Sequence, residues 1–265
     1  MLTVAFLFPA LARADAVLFI YPTLIIFEGN QRSVEVTIAN RGDQVGTFET
    51  SWSDLTMAPD GALVKHEGLV PWSVQPHLRY SPRRVTLAPS ESQVIKIALR
   101  NEPDAPEGEY FSHLRVLTIN SEDPVADTAR TGAPEPTSGI SIEARTAVAI
   151  PVIWRNSHAT PSASIESVSV DEELNQINID VRRTGPLSVR GYLHVVELLP
   201  NGTQTALSEP LPLVIYSNLD TRTTAVTLNE GVIAERLPAN TRVVYSPDLE
   251  LLDRSITLAS YPISP

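Results

Sequence analysis

Hydrophobic and polar residues alternate along much of the chain, and the clearest example lies just before its midpoint. Apolar side chains recur over residues 84–87, 94–99 and 110–116, with polar neighbours between them. The turn residues Ala88-Pro89-Ser90 and a loop at 101–108, rich in proline and acids, separate the three stretches. This pattern predicts an antiparallel sheet with one buried face.

The first 55 residues predict three more strands. A long apolar strand from Ala16 to Phe27 is interrupted at Pro22, because proline lacks the N–H that a sheet ladder needs. Two further strands are predicted at Ser33 to Ala39 and at Phe48 to Leu55. The large ring of Trp52, in the last of these, is expected to fill a core.

The longest predicted strand runs from Gly139 to Arg155. Before it, residues 120–138 are acidic, small and rich in proline, a composition that predicts a mobile loop. The strand carries apolar side chains on one face, at Ile140, Ile142, Ala144, Val148 and Ile150. That face fits either the protein's own core or an open groove on a partner. Periodicity alone favours the protein's own core, because every sandwich strand has an apolar face, whereas the preceding mobile loop favours the groove.

The rest of the chain predicts a second β-domain. A polar stretch at 155–161 marks its boundary, and seven strand candidates follow at Val168 to Val170, Ile177 to Val181, Tyr192 to Leu198, Leu211 to Tyr216, Thr223 to Leu228, Thr241 to Tyr245 and Ile256 to Ser260. The turns Pro59-Asp60-Gly61 and Pro200-Asn201-Gly202 combine a proline that presets φ with a glycine that accepts a left-handed conformation.

Length and composition agree with two domains. The chain has 265 residues and 22 prolines, few helix-forming windows and many Val, Ile and Thr alternations; a single domain takes about 100–200 residues. We therefore predict an all-β fold of two immunoglobulin-like β-sandwich domains, at an angle in an L shape. Their predicted limits are 15–156 and 157–265, after a signal-peptide remnant at 1–14.

The charge of the chain excludes several partners and chemistries. A formal net charge of −11 gives no clustered positive field for nucleic acid or anionic lipid. The sequence has no cysteine, so a disulfide framework, a thiolate metal site and a cysteine nucleophile are all excluded. Lys65 and Lys96 are the only lysines, so nearly every cation is an arginine.

The apolar run from Leu2 to Ala14 ends in Ala12-Arg13-Ala14, the small-x-small pattern of a signal-peptide cleavage site. No basic region precedes it, so two interpretations stay open: Met1 lies inside a longer leader, or the run is a buried strand or ragged terminus. No later segment reaches the roughly 18 apolar residues of a membrane span. We expect an exported periplasmic protein that starts at Asp15.

The first domain resembles the periplasmic chaperones of the chaperone/usher pilus pathway (PapD-like), as a divergent member. Five patches follow the order of that family, and they are Pro22 to Gly29, Val36 to Asn40, Trp52, Arg84 to Pro89 with Gln93, and Ile150 to Arg155. The resemblance covers most of residues 17–156. The second domain matches only in length and strand pattern.

The resemblance implies donor-strand complementation. A chaperone of this kind lends the last strand of its first domain to a pilus or fimbrial subunit and delivers the subunit to an outer-membrane usher. The physical basis is β-augmentation, in which backbone hydrogen bonds give affinity and alternate apolar side chains fill the groove. The residues implied for this contact are Ile140, Ile142, Ala144 and Val148. The sequence leaves open which subunit is bound and whether an idle copy caps itself as a dimer.

One departure from the family concerns a carboxylate anchor. The family binds the subunit's terminal carboxylate with an arginine and a lysine, whose positions correspond here to Leu24 and Pro151. Neither side chain binds an anion. Because Lys65 and Lys96 are the only lysines, a replacement anchor must be an arginine. The candidates are Arg145, Arg115, Arg83 and Arg84.

No enzyme chemistry is predicted. The five histidines show no metal-binding spacing, and the sequence has no glycine-rich phosphate loop. We therefore predict no metal, no cofactor and no catalytic residues. The alternative function is a periplasmic two-sandwich binding or structural module that has lost subunit capture, supported by Leu24 and Pro151; a hydrolase or metalloenzyme is a third class, without nominated residues.

Overall fold

The computed structural model describes residues 16–100, 104–120, 146–247 and 259–263. Within these residues the secondary structure consists of nineteen β-strands and two short 3-10 helices. In the same part of the chain, no helix has the length and apolar character needed to cross a membrane. The predicted all-β class is confirmed.

The first half has strands at every predicted position and three short strands, β5 to β7, that were not predicted. They are β1 (Leu18–Tyr21), β2 (Ile25–Phe27), β3 (Ser33–Asn40), β4 (Gly46–Ser53), β5 (Leu55–Met57), β6 (Leu63–Lys65), β7 (Leu78–Ser81), β8 (Arg84–Leu87), β9 (Ser92–Leu99) and β10 (Gly108–Asn120). A 3-10 helix, Gln75–His77, precedes β7. The three stretches predicted at 84–87, 94–99 and 110–116 are therefore strands.

The second half is confirmed strand by strand, with one exception. Its strands are β11 (Ala147–Asn156), β12 (Ser162–Asp171), β13 (Gln176–Thr184), β14 (Val189–Leu198), β15 (Gln204–Ala206), β16 (Leu211–Ile215), β17 (Thr221–Thr227), β18 (Thr241–Ser246) and β19 (Ala259–Pro262), with a 3-10 helix at Ala234–Arg236. The predicted strand Ile256 to Ser260 lies partly outside the described residues. The short β15 was not predicted.

The described residues form two compact units, here called the N-terminal and C-terminal units. The C-terminal unit contains Asp54–Ser73 and Asp104–Phe111 as well as the chain from Trp154 onwards. The hairpin of β5 and β6 therefore packs with the second half of the chain. The predicted boundary at 156/157 stays a prediction, because these units describe which residues pack together and not which segments fold alone. The predicted L shape likewise stays a prediction.

The N-terminal unit is a sandwich of two sheets, with strand orders β1-β3-β9-β7 and β2-β11-β10-β4-β8. Strand β3 pairs antiparallel with β1 and β9. Because side chains alternate between the faces of a strand, Val36, Ile38, Ile95 and Ile97 all point inward and are fully buried. The aromatic ring of Phe48 on β4 completes this core.

The predicted interruption at Pro22 has a larger consequence than the sequence indicated. Strand β1 pairs with β3 in one sheet, whereas β2 neighbours β11 in the other. The predicted first strand is thus two strands, and the chain passes from one sheet to the other between them. Because proline cannot donate to a ladder, it is tolerated at such a crossing.

Trp52 does not fill the core, and that expectation was wrong. The ring is half-buried and packs edge-on against Tyr80, with 5.2 Å between ring centroids. Its position near the end of β4 explains the difference, since the centre of the sandwich is occupied by Phe27 and Phe48, both fully buried.

The C-terminal unit is a second sandwich. One sheet has the order β12-β13-β17, and the other has the order β15-β14-β18-β19 with β16 also paired to β14. Its core includes Ile177 and Ile179 from the first sheet and Leu193, Val195 and Tyr245 from the second. Both predicted turns are confirmed, since Gly61 and Gly202 have φ angles of 87° and 83°. The predicted fold of two β-sandwiches is therefore confirmed.

Candidate functional site

The structure describes the second part of the predicted lent strand. Ile140, Ile142, Ala144 and Arg145 lie outside the described residues, as does nearly all of the predicted mobile loop. Within β11, Val148 is half-buried, while Ile150, Val152 and Trp154 on the same face are 2%, 0% and 4% exposed. The described end of this face therefore packs into the protein itself, and its coverage decreases towards Val148.

Strand β11 also has an edge that is only partly covered. Its neighbours are β10 on one side and β2 on the other. The pairing with β10 includes a hydrogen bond from the Thr118 N–H to the Thr146 carbonyl, at 2.9 Å. On the other side, β2 has three residues against ten in β11. Because β2 is much shorter than β11, it does not span the whole of that edge, and an edge that is only partly covered is what β-augmentation requires.

The described anchor candidates lie on the sheet that contains β11. Arg84 on β8 pairs in register with Glu49 on β4, and Arg115 on β10 pairs with Ser51 on β4. Glu49 and Ser51 are two residues apart, so both arginines lie on one face of the sheet. Arg84 is exposed, with Nη2 3.5 Å from the Glu49 carboxylate, whereas Arg115 is half-buried.

The other named positions are Arg83, Leu24 and Pro151. Arg83 is exposed and its guanidinium lies 5.7 Å from the centre of the Tyr80 ring. Leu24 and Pro151 are both half-buried. Pro151 lies within β11, where it removes one backbone donor from the strand.

Sequence reasoning missed a buried charged network in the C-terminal unit. Glu109 Oε2 lies 3.1 Å from Arg155 Nε, and it also accepts hydrogen bonds from the Ser188 hydroxyl at 2.9 Å and the Ser188 N–H at 3.3 Å. An acid inside the strand segment Gly108 to Phe111, directly before the aromatic residues Tyr110 and Phe111, was the available signal. Such an acid needs a cation when it is buried.

Arg190 is a second cation beside this network. Its guanidinium carbon lies 5.7 Å from the centre of the Tyr216 ring. Burial lowers the pKa of Arg190 and raises the pKa of the Tyr216 phenol. At neutral pH the arginine is still charged and the phenol is neutral.

The four-stranded sheet of the N-terminal unit carries exposed apolar side chains on its outer face. Phe19 and Tyr21 on β1 are 43% and 66% exposed, and Val94 on β9 is 40% exposed. Tyr21 and Val94 are both in register with Thr37 on β3, so they lie in one row across the sheet. We call Phe19, Tyr21 and Val94 the exposed apolar row.

Among the described residues, no group of three or more histidines or acids could hold a metal ion. The predicted absence of a metal and a cofactor stays a prediction.

No protein-family profile matches the sequence, and no curated protein matches it. The fold is similar to that of chaperones of chaperone-usher pili, as the sequence resemblance predicted. CsuC of Acinetobacter baumannii, solved as a pre-assembly complex with the tip adhesion subunit CsuE, is similar over 89% of this chain and 95% of its own, with 13% identity and a TM-score of 0.50.

Two other solved chaperones are similar as well. YadV has a TM-score of 0.49 and 11% identity, over 93% of this chain and 99% of its own. CupB2 of Pseudomonas aeruginosa has a TM-score of 0.43 and 14% identity, over 86% of this chain and 92% of its own.

Proposed function

We propose that the protein is a periplasmic chaperone that binds a pilus or fimbrial subunit by donor-strand complementation and delivers it to an outer-membrane usher. The observation that carries this proposal is the partly covered edge of β11, a ten-residue strand flanked on that side by the three-residue β2. The similar chaperone CsuC is described in complex with a tip adhesion subunit.

Within the predicted donor strand, residues 139–155, we assign residues 139–148 to the contact with the subunit. Ile140, Ile142, Ala144 and Val148 have the period of two that one face of a strand requires. The decreasing coverage from Ile150 to Val148 fits a strand whose later part is held in its own core while its earlier part is offered to a partner. Each backbone hydrogen bond made to the subunit contributes about 1 kcal/mol.

Arg115 is the best-placed described residue for a carboxylate of the subunit. It lies on β10, the strand next to β11, and it is half-buried, so its charge is less screened than that of the exposed Arg83 and Arg84. Arg145, on the lent segment itself, is the other candidate. Leu24 and Pro151 stand where the family has its arginine and lysine. On this proposal, a different arginine has taken over the binding of the carboxylate.

A second surface is needed for delivery. The row of Phe19, Tyr21 and Val94 lies on the other sheet of the same sandwich and is exposed. We assign the contact with the outer-membrane usher to this row. A captured subunit on β11 leaves that sheet free.

The direct experiment is to purify the C-terminally tagged protein from the periplasm of its own host and to identify companions by mass spectrometry. A small β-protein that lacks a strand, bound one to one, supports the proposal and names the subunit. A monodisperse protein without such a companion, while pili are being made, contradicts it. That outcome would favour the alternative of a binding or structural module.

A further inference from the structure

We propose that a cavity in the C-terminal unit binds a small organic cation with an apolar body, such as an alkylammonium ion. The cavity has a volume of about 380 Å³ and is lined by residues of β12, of β19 and of the 3-10 helix Ala234–Arg236. This inference does not depend on the proposed chaperone function, because every lining residue belongs to the C-terminal unit and none belongs to β10 or β11.

The cavity lies where the inner face of the sandwich is incompletely covered. Val168 on β12 is in register with Ile179 on β13, and both point towards the core. The same holds for Val170 and its partner Ile177. The two isoleucines are 1% and 0% exposed, whereas both valines are half-buried. An apolar body that enters the cavity would therefore cover side chains that already face inward.

Hydrogen bonds hold the walls of the cavity in place. The side chain of Asn175, in the turn between β12 and β13, accepts from the Ala234 N–H and donates to the Val232 carbonyl, both at 2.9 Å. Near the other wall, the Ile263 N–H donates to the Thr241 carbonyl at 3.0 Å. The cavity is thus preformed, and a ligand would not have to order its walls on binding.

The charge of the lining determines the kind of ligand. Its charged members are two exposed acids, Glu172 and Glu235, and neither carboxylate forms an ion pair or a hydrogen bond with a residue that the structure describes. Glu172 lies in the turn that Asn175 ties to the 3-10 helix, and Glu235 lies in that helix, so both acids are at the same end of the cavity. Arg236, the next residue, is exposed and does not line the cavity. Two acids without a cation among the described lining residues favour a positively charged ligand.

Tyr261 adds a polar group to the lining. Its side chain packs against the core of the C-terminal unit, and its hydroxyl has no hydrogen-bond partner in the described part of the chain. An ammonium group can donate to that oxygen, and the face of the ring attracts cations. A largely apolar cavity with a few polar groups, at the lower end of the range of about 300–1,000 Å³, is typical of sites for small molecules. We therefore assign it to a small molecule and not to a segment of a partner protein.

A binding measurement tests the class of ligand. The probes are hexylammonium chloride, 1-hexanol and sodium hexanoate, which share the apolar chain and differ in charge. In spectra of protein with ¹³C-labelled valine methyl groups, we expect the Val168 and Val170 resonances to shift most readily with hexylammonium and least with hexanoate. Val189 and Val195, which are fully buried in the same core and do not line the cavity, are internal controls. No shift with hexylammonium, or equal affinity for the three probes, would overturn the proposal.

Substitutions of the two acids test the recognition of charge. Glu172→Gln and Glu235→Gln should each weaken the binding of hexylammonium about threefold, since an exposed ion pair contributes little. Glu173→Gln is the matched control, because Glu173 is exposed in the same turn and does not line the cavity. If Glu173→Gln weakens binding as much as Glu172→Gln does, the cation is attracted by the general charge of the turn and the proposal is wrong.

A substitution that fills the cavity tests the location of the site. Val170→Phe places a ring in the cavity, so hexylammonium should no longer bind while the melting temperature is retained or raised. Unchanged affinity in folded Val170→Phe would contradict the proposal. If this variant does not fold, Val168→Ile, which adds one methylene group at the neighbouring lining position, replaces it and should weaken binding.

A peptide probe separates a free cation from a basic side chain of a partner. Acetyl-Ala-Lys-Ala-amide carries the same ammonium group on a four-carbon stem. Weaker binding of this peptide than of hexylammonium supports a site for a small molecule. Tighter binding of the peptide would transfer the site to a lysine of a partner protein and overturn the assignment.

Discussion

The side-chain amide of Asn218 forms two hydrogen bonds with the backbone of Met57. Asn218 Oδ1 accepts from the Met57 N–H at 3.3 Å, and Asn218 Nδ2 donates to the Met57 carbonyl at 3.1 Å. The residues are 161 positions apart in the chain, and both belong to the C-terminal unit. The Thr223 N–H adds a bond to the Pro59 carbonyl at 2.9 Å. These contacts hold the β5–β6 hairpin against the second half of the chain.

Asn218→Ala should therefore lower the free energy of unfolding by about 2 kcal/mol, since each lost hydrogen bond is worth about 1 kcal/mol. Urea unfolding of the purified protein measures this. Asn201→Ala is the control, because that exposed asparagine accepts its hydrogen bonds from Thr203 within its own turn. Equal losses in the two variants would mean that the Met57 contact adds nothing specific.

Arg183 should be far more important for stability than its neighbour Arg182. The buried Arg183 guanidinium donates to the Leu219 carbonyl at 2.9 Å, the Ser217 carbonyl at 3.1 Å and the Asp220 carboxylate at 3.0 Å. Arg183→Ala should cost about 3–5 kcal/mol, because these carbonyls lose a charged donor.

Arg182→Ala provides the comparison, since Arg182 forms an exposed pair with Glu166. It should change the urea midpoint little, as exposed ion pairs contribute little. A similar effect of the two substitutions would contradict the assignment of Arg183 as the residue that fixes the 217–220 turn.

The Arg183 network illustrates what the sequence could not predict. Strand positions follow from local alternation, so Val36 and Ile38, or Ile95 and Ile97, could be placed on buried faces without the structure. The Leu219, Ser217 and Asp220 partners of Arg183 lie more than 30 residues away along the chain. Local periodicity carries no information on such pairs.

The candidate site shows the same division. The sequence alone predicted the apolar face of β11 from its period of two. It also showed that Leu24 and Pro151 replace the charged residues of the family's carboxylate anchor. The sequence did not predict that the short β2 lies beside β11, because this arrangement depends on the chain changing sheets after β1. Nor did it predict the pairing of Glu109 with Arg155, which joins residues 46 positions apart.

Acid should weaken the protein through Asp180. Its carboxylate accepts hydrogen bonds from Ser167 Oγ at 2.5 Å and Thr223 Oγ1 at 2.6 Å, and these bonds lower the pKa of Asp180. A lowered pKa stabilises the folded state above the unfolded pKa, about 3.9, and this contribution is lost as the pH falls through the folded pKa.

Asp180→Asn should therefore reduce the difference in melting temperature between pH 6 and pH 3. The change should be small, since the group is near solvent. Glu173→Gln, at the exposed turn between β12 and β13, is the control. An unaltered pH dependence in Asp180→Asn would contradict the role of these hydrogen bonds.

The exposed apolar row should matter for delivery and not for capture. Tyr21→Glu and Val94→Glu place charges on the outer face of the four-stranded sheet, where a partner would have to desolvate them. We expect unchanged co-purification of the subunit but fewer pili at the cell surface, counted by electron microscopy. Leu174→Glu, at a 64% exposed position of the C-terminal unit, controls for surface charge. Normal pilus numbers in all three would remove the row from the delivery step.

Three adjacent positions of β11 test the donor strand itself. Val148→Asp should leave the protein folded and abolish subunit capture, because the half-buried Val148 is assigned to the groove of the partner. Ile150→Asp should unfold the protein, since an acid at a 2% exposed core position costs about 3 kcal/mol or more. Ala149→Asp is the matched control: it is exposed on the opposite face and should retain capture. Circular dichroism and co-purification measure the two properties separately. If Val148→Asp unfolds the protein, or if Ala149→Asp abolishes capture as well, alternate side chains of β11 do not fill the groove of the subunit. The donor-strand assignment would then be wrong.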